Sequence, residues 1–211
     1  MTAALRRVTR GGSVLQLTDT RATGEPGASP LSNARVGMVV FLVFESMFFA
    51  ALIAAYLIFR LRTAIWPPAD LPNLPLMVTW LNTGVLALSA YTMHRARVAH
   101  RAGDRPRLER NLKATALLGT LFLAVQGSEW LRLVRHGLTL SAGTYGATFY
   151  TLIGCHGLHV LGAVLWLLVV MARVQRSRFA RPVRVPLELC GMYWLFVVTL
   201  WGALFPLVYL L

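Results

Sequence analysis

Acidic residues are scarce in this sequence, with eight Asp and Glu against 21 Lys and Arg, and cysteine is scarcer still at two. The two thiols, Cys155 and Cys190, lie within or at the edge of apolar segments, where oxidising machinery rarely reaches, so no disulfide framework is implied. Residues 1–33 are rich in Arg, Thr, Ser and Gly and hold no continuous apolar stretch of the kind a secretory signal needs. They are expected to form a mobile cytoplasmic tail. An organelle transit peptide is the competing reading, since Arg6, Arg7, Arg10 and Arg21 outnumber Asp19 and Glu25. No internal repeat and no second domain are visible.

What is abundant is apolar. Of the 211 residues, 56% are hydrophobic, and the mean hydropathy of +0.60 exceeds that of an ordinary soluble domain. The net charge of +13 could suggest a nucleic-acid binder, but its basic residues would then coat a folded surface. Here they interrupt long apolar runs, and no nucleic-acid partner is expected.

A bilayer core about 30 Å thick needs about 20 mostly apolar residues at 1.5 Å rise each. Five stretches qualify, at about 36–59, 76–93, 112–134, 146–172 and 188–211. The expected fold is therefore all-α, a polytopic bundle of five transmembrane helices over residues 34–211. Arginines fix the orientation. They crowd the N-terminal tail, the second connection (Arg95, Arg97, Arg101, Arg105, Arg107 and Arg110, with Lys113, the only Lys) and the fourth (Arg173, Arg176, Arg178, Arg181, Arg184). The first and third connections carry only Arg60, Arg62, Arg132 and Arg135. Because basic residues stay on the cytoplasmic side, the N-terminus is expected inside and the C-terminus outside. Topology is the plain reading of these loops, with attraction to anionic lipid worth about 1 kcal/mol per charge. Trp66, Pro67, Pro68, Pro72 and Pro75 read as a stiff outer loop with an interfacial Trp.

Polar groups within the spans are costly, which makes them the first candidates for function. Glu45 sits in Phe41-Leu42-Val43-Phe44-Glu45-Ser46-Met47-Phe48-Phe49; a specific role competes with a protonated carboxyl bonded to a neighbouring helix. Gln126 and Glu129 share one face at i and i+3, as an interhelical polar clamp would. His156 and His159 have the same spacing and could be paired metal ligands, but nothing else supplies a ligand set, and two packed neutral imidazoles are the plainer reading. Thr79, Asn82 and Thr83 form a polar stripe suited to helix association.

Read in order, these segments resemble cytochrome c oxidase subunit III of the haem-copper oxidases. The likeness covers about residues 37–211. It is carried by Glu45-Ser-Met-Phe-Phe-Ala50, Trp66-Pro67-Pro68, Leu81-Asn82-Thr83, Gly103-Asp104-Arg105, Gln126 with Glu129-Trp130, Tyr145-Gly146 and Phe149. It continues through Gly154-Cys155-His156-Gly157-Leu158-His159-Val160, Glu188, Tyr193-Trp194 and Trp201. Many members have seven spans, and this chain is similar to a shorter form lacking the first two. After Tyr193-Trp194 the family usually shows His and later Asp, where Leu195 and Val198 stand here; polar contacts of the last helix are thereby in question, and Pro206 is a further source of distortion.

The resemblance implies a non-redox core subunit of a proton-translocating terminal oxidase that reduces dioxygen to water. Haem and copper would lie in partner subunits I and II, with none in this chain, and the location would be the bacterial inner membrane. Bound phospholipid, proton uptake and protection of the catalytic subunit are the implied roles. Glu45, His156 and His159 would be buried proton-related groups, and Asn82, Gln126, Glu129, Glu188 and Trp194 interhelical or lipid-cleft groups. The electron donor, cytochrome c or quinol, stays open because neither binds this subunit in the family. An accessory subunit of nitric oxide reductase, a haem-binding electron carrier using His156 or His159, and a transporter are the alternatives. Depth along the helices adds one expectation. Glu45 lies about 13 Å and His159 about 20 Å from the cytoplasmic ends of their spans, so the two should meet across the first and fourth helices.

Overall fold

The computed structural model describes residues 30–63, 66, 76–176 and 184–210. Residues 1–29 of the tail expected over 1–33, the proline loop over 67–75 and Arg178 and Arg181 lie outside them, while residues 30–33 already belong to the first helix. Five α-helices follow one another: α1 (Pro30–Arg62), α2 (Leu76–Arg101), α3 (Arg105–Arg135), α4 (Gly143–Arg176) and α5 (Arg184–Phe205), with a π-helical turn at Pro206–Leu210. All but the last outrun the apolar stretches that announced them. Once started, a helix gains a hydrogen bond for each residue added, so α2 to α4 carry their arginine-rich ends beyond the apolar length.

Four helices, α1, α2, α4 and α5 with its π turn, are long and apolar enough to cross a membrane. The third expected span, 112–134, sits inside α3, which is not among the four. Gln126, Gly127, Ser128 and Glu129 lower its apolarity, and charges cluster at both of its ends. It is nonetheless built into the bundle, packing along α2 and against α4, with Leu112, Thr115, Gly119, Phe122 and Gln126 buried.

The turn between α2 and α3 is set by local chemistry. Gly103 takes φ +70°, a left-handed conformation that costs glycine little. Asp104 then caps α3, its carboxylate accepting from the Arg107 N–H at 3.0 Å, with a proline in the first helical positions where no donor is needed. At the opposite end Tyr150 Oη donates to the Leu138 carbonyl at 2.8 Å, tying the α3–α4 connection to α4.

The centre of the bundle is α5, which packs on α1, α2 and α4 and buries Trp194, Val197, Trp201 and Leu204. Pro206 has no N–H to donate to the preceding turn, and the helix widens there to π geometry. This turns Tyr209 inward, where its ring lies 6.0 Å from Phe149. In contrast α1 is peripheral. Val36, Phe44 and Met47 are each more than 60% exposed, as suits a helix facing lipid or another subunit. Trp66 packs edge-on against Tyr56 and Tyr145, at 5.7 and 5.0 Å between ring centres.

Candidate functional site

Glu45 projects from the middle of α1 towards α4, and its Oε2 lies 2.8 Å from His159 Nε2. The other ring nitrogen, Nδ1, is 2.6 Å from the Cys155 carbonyl one turn earlier in α4. That carbonyl only accepts, so Nδ1 carries a proton, and the ring is held in one orientation from both sides. Phe49 packs edge-on against the imidazole at 4.9 Å and Phe48 lies over it at 6.1 Å. A carboxyl and an imidazole thus share a hydrogen bond beside two phenylalanine rings, an arrangement able to hold or pass a proton. The two side chains, expected to be buried, are half-buried, at 19% and 21% exposed. The arrangement has no ligand set. Among the described residues no group of three or more His, Cys, Asp and Glu side chains could hold a metal ion.

His156 has a different environment, although it lies on the same helix. Its ring is buried and stacks on Trp201 with 5.2 Å between centres. The i and i+3 spacing places the two histidines about 60° apart around the helix, enough to send one to α1 and the other between α3 and α5. They do not converge on a common point.

Glu188, at the start of α5, gathers the arginines. Its Oε2 is 2.8 Å from Arg97 and 3.7 Å from Arg35, and its Oε1 is 3.1 Å from Arg101. The carboxylate is buried while Arg101 remains largely exposed, so α1, α2 and α5 are joined at one level by a single acidic group. Arg97 crosses above Gly191, where any Cβ would come within 2.7 Å of its Cδ. These arginines, read from the sequence as markers of topology, are also structural partners. The sequence signal available was a lone carboxylate opening an apolar helix.

The remaining expected polar residues divide. Asn82 Nδ2 donates to the Phe122 carbonyl at 3.1 Å across α2 and α3. Gln126 Nε2 donates to Tyr209 Oη at 3.0 Å, linking α3 to the π turn. Trp194 Nε1 donates to Ser89 Oγ at 3.1 Å, an α5–α2 contact. Glu129 departs from the expected interhelical clamp: its carboxylate is buried and is met by Arg132 of its own helix at 3.1 Å, a contact that i, i+3 proximity favours. Sequence reasoning did not find the Thr92–Thr115 hydroxyl pair at 2.8 Å or the Trp201–Thr83 bond at 2.9 Å. Such hydroxyls have ordinary alternatives in bonding their own helix, and Thr83 and Thr115 do so as well.

The bundle, its Glu–His pair and its arginine-bound glutamate lie within the reach of one family model, cytochrome c oxidase subunit III, which matches residues 18–211. The chain belongs to the cytochrome c oxidase subunit III family. It is 38% identical over 176 residues to cytochrome c oxidase subunit 3 of Synechocystis sp., covering 83% of this chain and 74% of that protein. It is 34% identical over 201 residues to the probable cytochrome c oxidase subunit 3 of Nocardia farcinica, covering 90% and 98%. With the corresponding Mycobacterium leprae protein it shares 37% over 175 residues, 82% and 86% of the two chains.

Proposed function

We propose that this chain is the non-redox core subunit III of a proton-translocating haem-copper terminal oxidase in a bacterial inner membrane. In this reading it lies beside subunits I and II, which carry the haem and copper, and all five helices span with the N-terminus inside. Membership of the subunit III family and four membrane-length apolar helices support the assignment. The segment before α1 would lie as a tail on the cytoplasmic side.

The observation that carries the functional role is the 2.8 Å contact of Glu45 with His159. A carboxyl and an imidazole retained in a hydrocarbon setting need each other, because either alone would be an unsatisfied polar group in lipid. We assign the pair a part in sustaining proton uptake by the catalytic subunit and in keeping α1 against α4. Phospholipid would bind along the exposed face of α1, with its head group near the Arg35 and Arg101 level.

Purification of wild-type and Glu45→Gln complexes in mild detergent tests this reading. The variant should retain full haem content and initial turnover but lose activity sooner during sustained turnover, with less phospholipid bound. Unchanged durability and lipid content would reject the role of Glu45. Recovery of the chain without a haem-bearing subunit would reject the assembly itself.

A further inference from the structure

Between α3, α4 and α5, on the side of α4 away from Glu45, lies a cavity of about 250 Å³. Gln126, Gly127 and Trp130 of α3, Gly154 and His156 of α4 and Trp201 of α5 line it, with leucines completing an apolar wall. Two of the lining side chains bring buried polar atoms that no group among the described residues satisfies. These are both ring nitrogens of His156 and the indole Nε1 of Trp130. His156 is 1% exposed, and its stacking on Trp201 holds the ring plane in place.

Leaving such groups without partners in a membrane interior forfeits the hydration they would have in water, so an occupant able to bond them is strongly favoured. The donor pattern defines its chemistry. The Trp130 indole only donates and therefore needs an acceptor, whereas neutral His156 offers one donor and one acceptor. An ion does not suit, because no opposite charge lines the wall and desolvation would go uncompensated. An oxygen that both donates and accepts satisfies both residues.

We propose that this cavity is a binding site for a neutral hydroxyl oxygen, hydrogen-bonded to Trp130 Nε1 and to His156. Two sources share that chemistry: ordered water, several molecules of which fit at about 30 Å³ each, and the hydroxyl of an amphiphilic alcohol. Small residues make the room. A Cβ at Gly154 meets nothing within 4 Å, whereas one at Gly157 would come within 2.9 Å of the Trp130 ring. Leu158 and Leu161, on the rim, are 68% and 43% exposed, which gives a lateral route from the lipid face.

The test is a structure of the detergent-purified oxidase complex at a resolution that resolves ordered water, alone and after soaking with 2-bromoethanol. Oxygen density is expected at about 2.7–3.2 Å from Trp130 Nε1 and a His156 ring nitrogen. Discrete density that bromoethanol leaves in place identifies water, and density continuous with a chain, or displaced by a brominated molecule, identifies an alcohol; either result supports the site. A His156→Leu complex should lose that density while keeping its haem content, which reports intact assembly independently. A dry cavity in the wild type, bonds from these nitrogens to a neighbouring subunit instead, or unchanged density in His156→Leu would overturn the proposal.

Discussion

The ring edge of Trp194, reaching from α5, lies directly against Gly119 of α3, while its indole N–H bonds Ser89 on α2. A Cβ at Gly119 would collide with two carbons of that ring and press on Val164 as well. The contact joins three helices through one fully buried side chain, and it makes the bundle sensitive to a single methyl group. Gly119→Ala should lower the stability of the subunit by about 1–3 kcal/mol, the usual range for overpacking. Thermal denaturation of the purified complex would show this as a lower midpoint. Gly84→Ala is the control, since nothing lies within 4 Å of a Cβ there, and its midpoint should stay at the wild-type value or rise.

The arginine cluster predicts an asymmetry between its partners. Removing the buried carboxylate with Glu188→Ala leaves Arg97, itself mostly buried, without its counter-charge, and the loss should approach the roughly 3–5 kcal/mol of a broken buried pair. Arg101→Ala removes a side chain that is 60% exposed and should cost no more than about 1 kcal/mol. Chemical denaturation of both variants in detergent would check the order. Equal losses would show that the cluster is not anchored on Glu188.

Gln126 and Tyr209 can be tested as a pair. Their 3.0 Å bond joins α3 to the π turn created by Pro206, so a double-mutant cycle with Gln126→Leu and Tyr209→Phe should give a coupling of about 0.6 kcal/mol, and no more than about 1.7. Additive losses would mean that the two residues act separately.

Orientation is open to labelling. With the N-terminus inside, the α3–α4 connection faces outwards and the α2–α3 turn inwards. In intact cells a membrane-impermeant maleimide should label Ser141→Cys and leave Ala102→Cys unlabelled. Both positions are exposed in the fold, whereas native Cys190 is buried and Cys155 half-buried, so background labelling should be low. The reverse pattern would invert the topology.

Residue order by itself determined the helical class and the approximate places of the five α-helices found among the described residues. Long apolar runs allow hardly any other structure in lipid, where every backbone group must be satisfied within its own segment. Depth along each helix was legible too, because a rise of about 1.5 Å per residue converts sequence distance into height; that is why Glu45 could be matched with His159. Which way each side chain turns around the axis, and what stands opposite, was decided by tertiary packing. His156 and His159 carry the same residue type three positions apart, yet one meets Glu45 and the other stacks on Trp201. Glu129, expected to reach across helices, pairs within its own. Arg97 and Arg101, counted from the sequence as topology markers, converge on Glu188 from more than eighty residues away in the chain. Period and hydropathy carry no information about partners at that separation; only the packing of α1, α2 and α5 brings them within reach of one carboxylate.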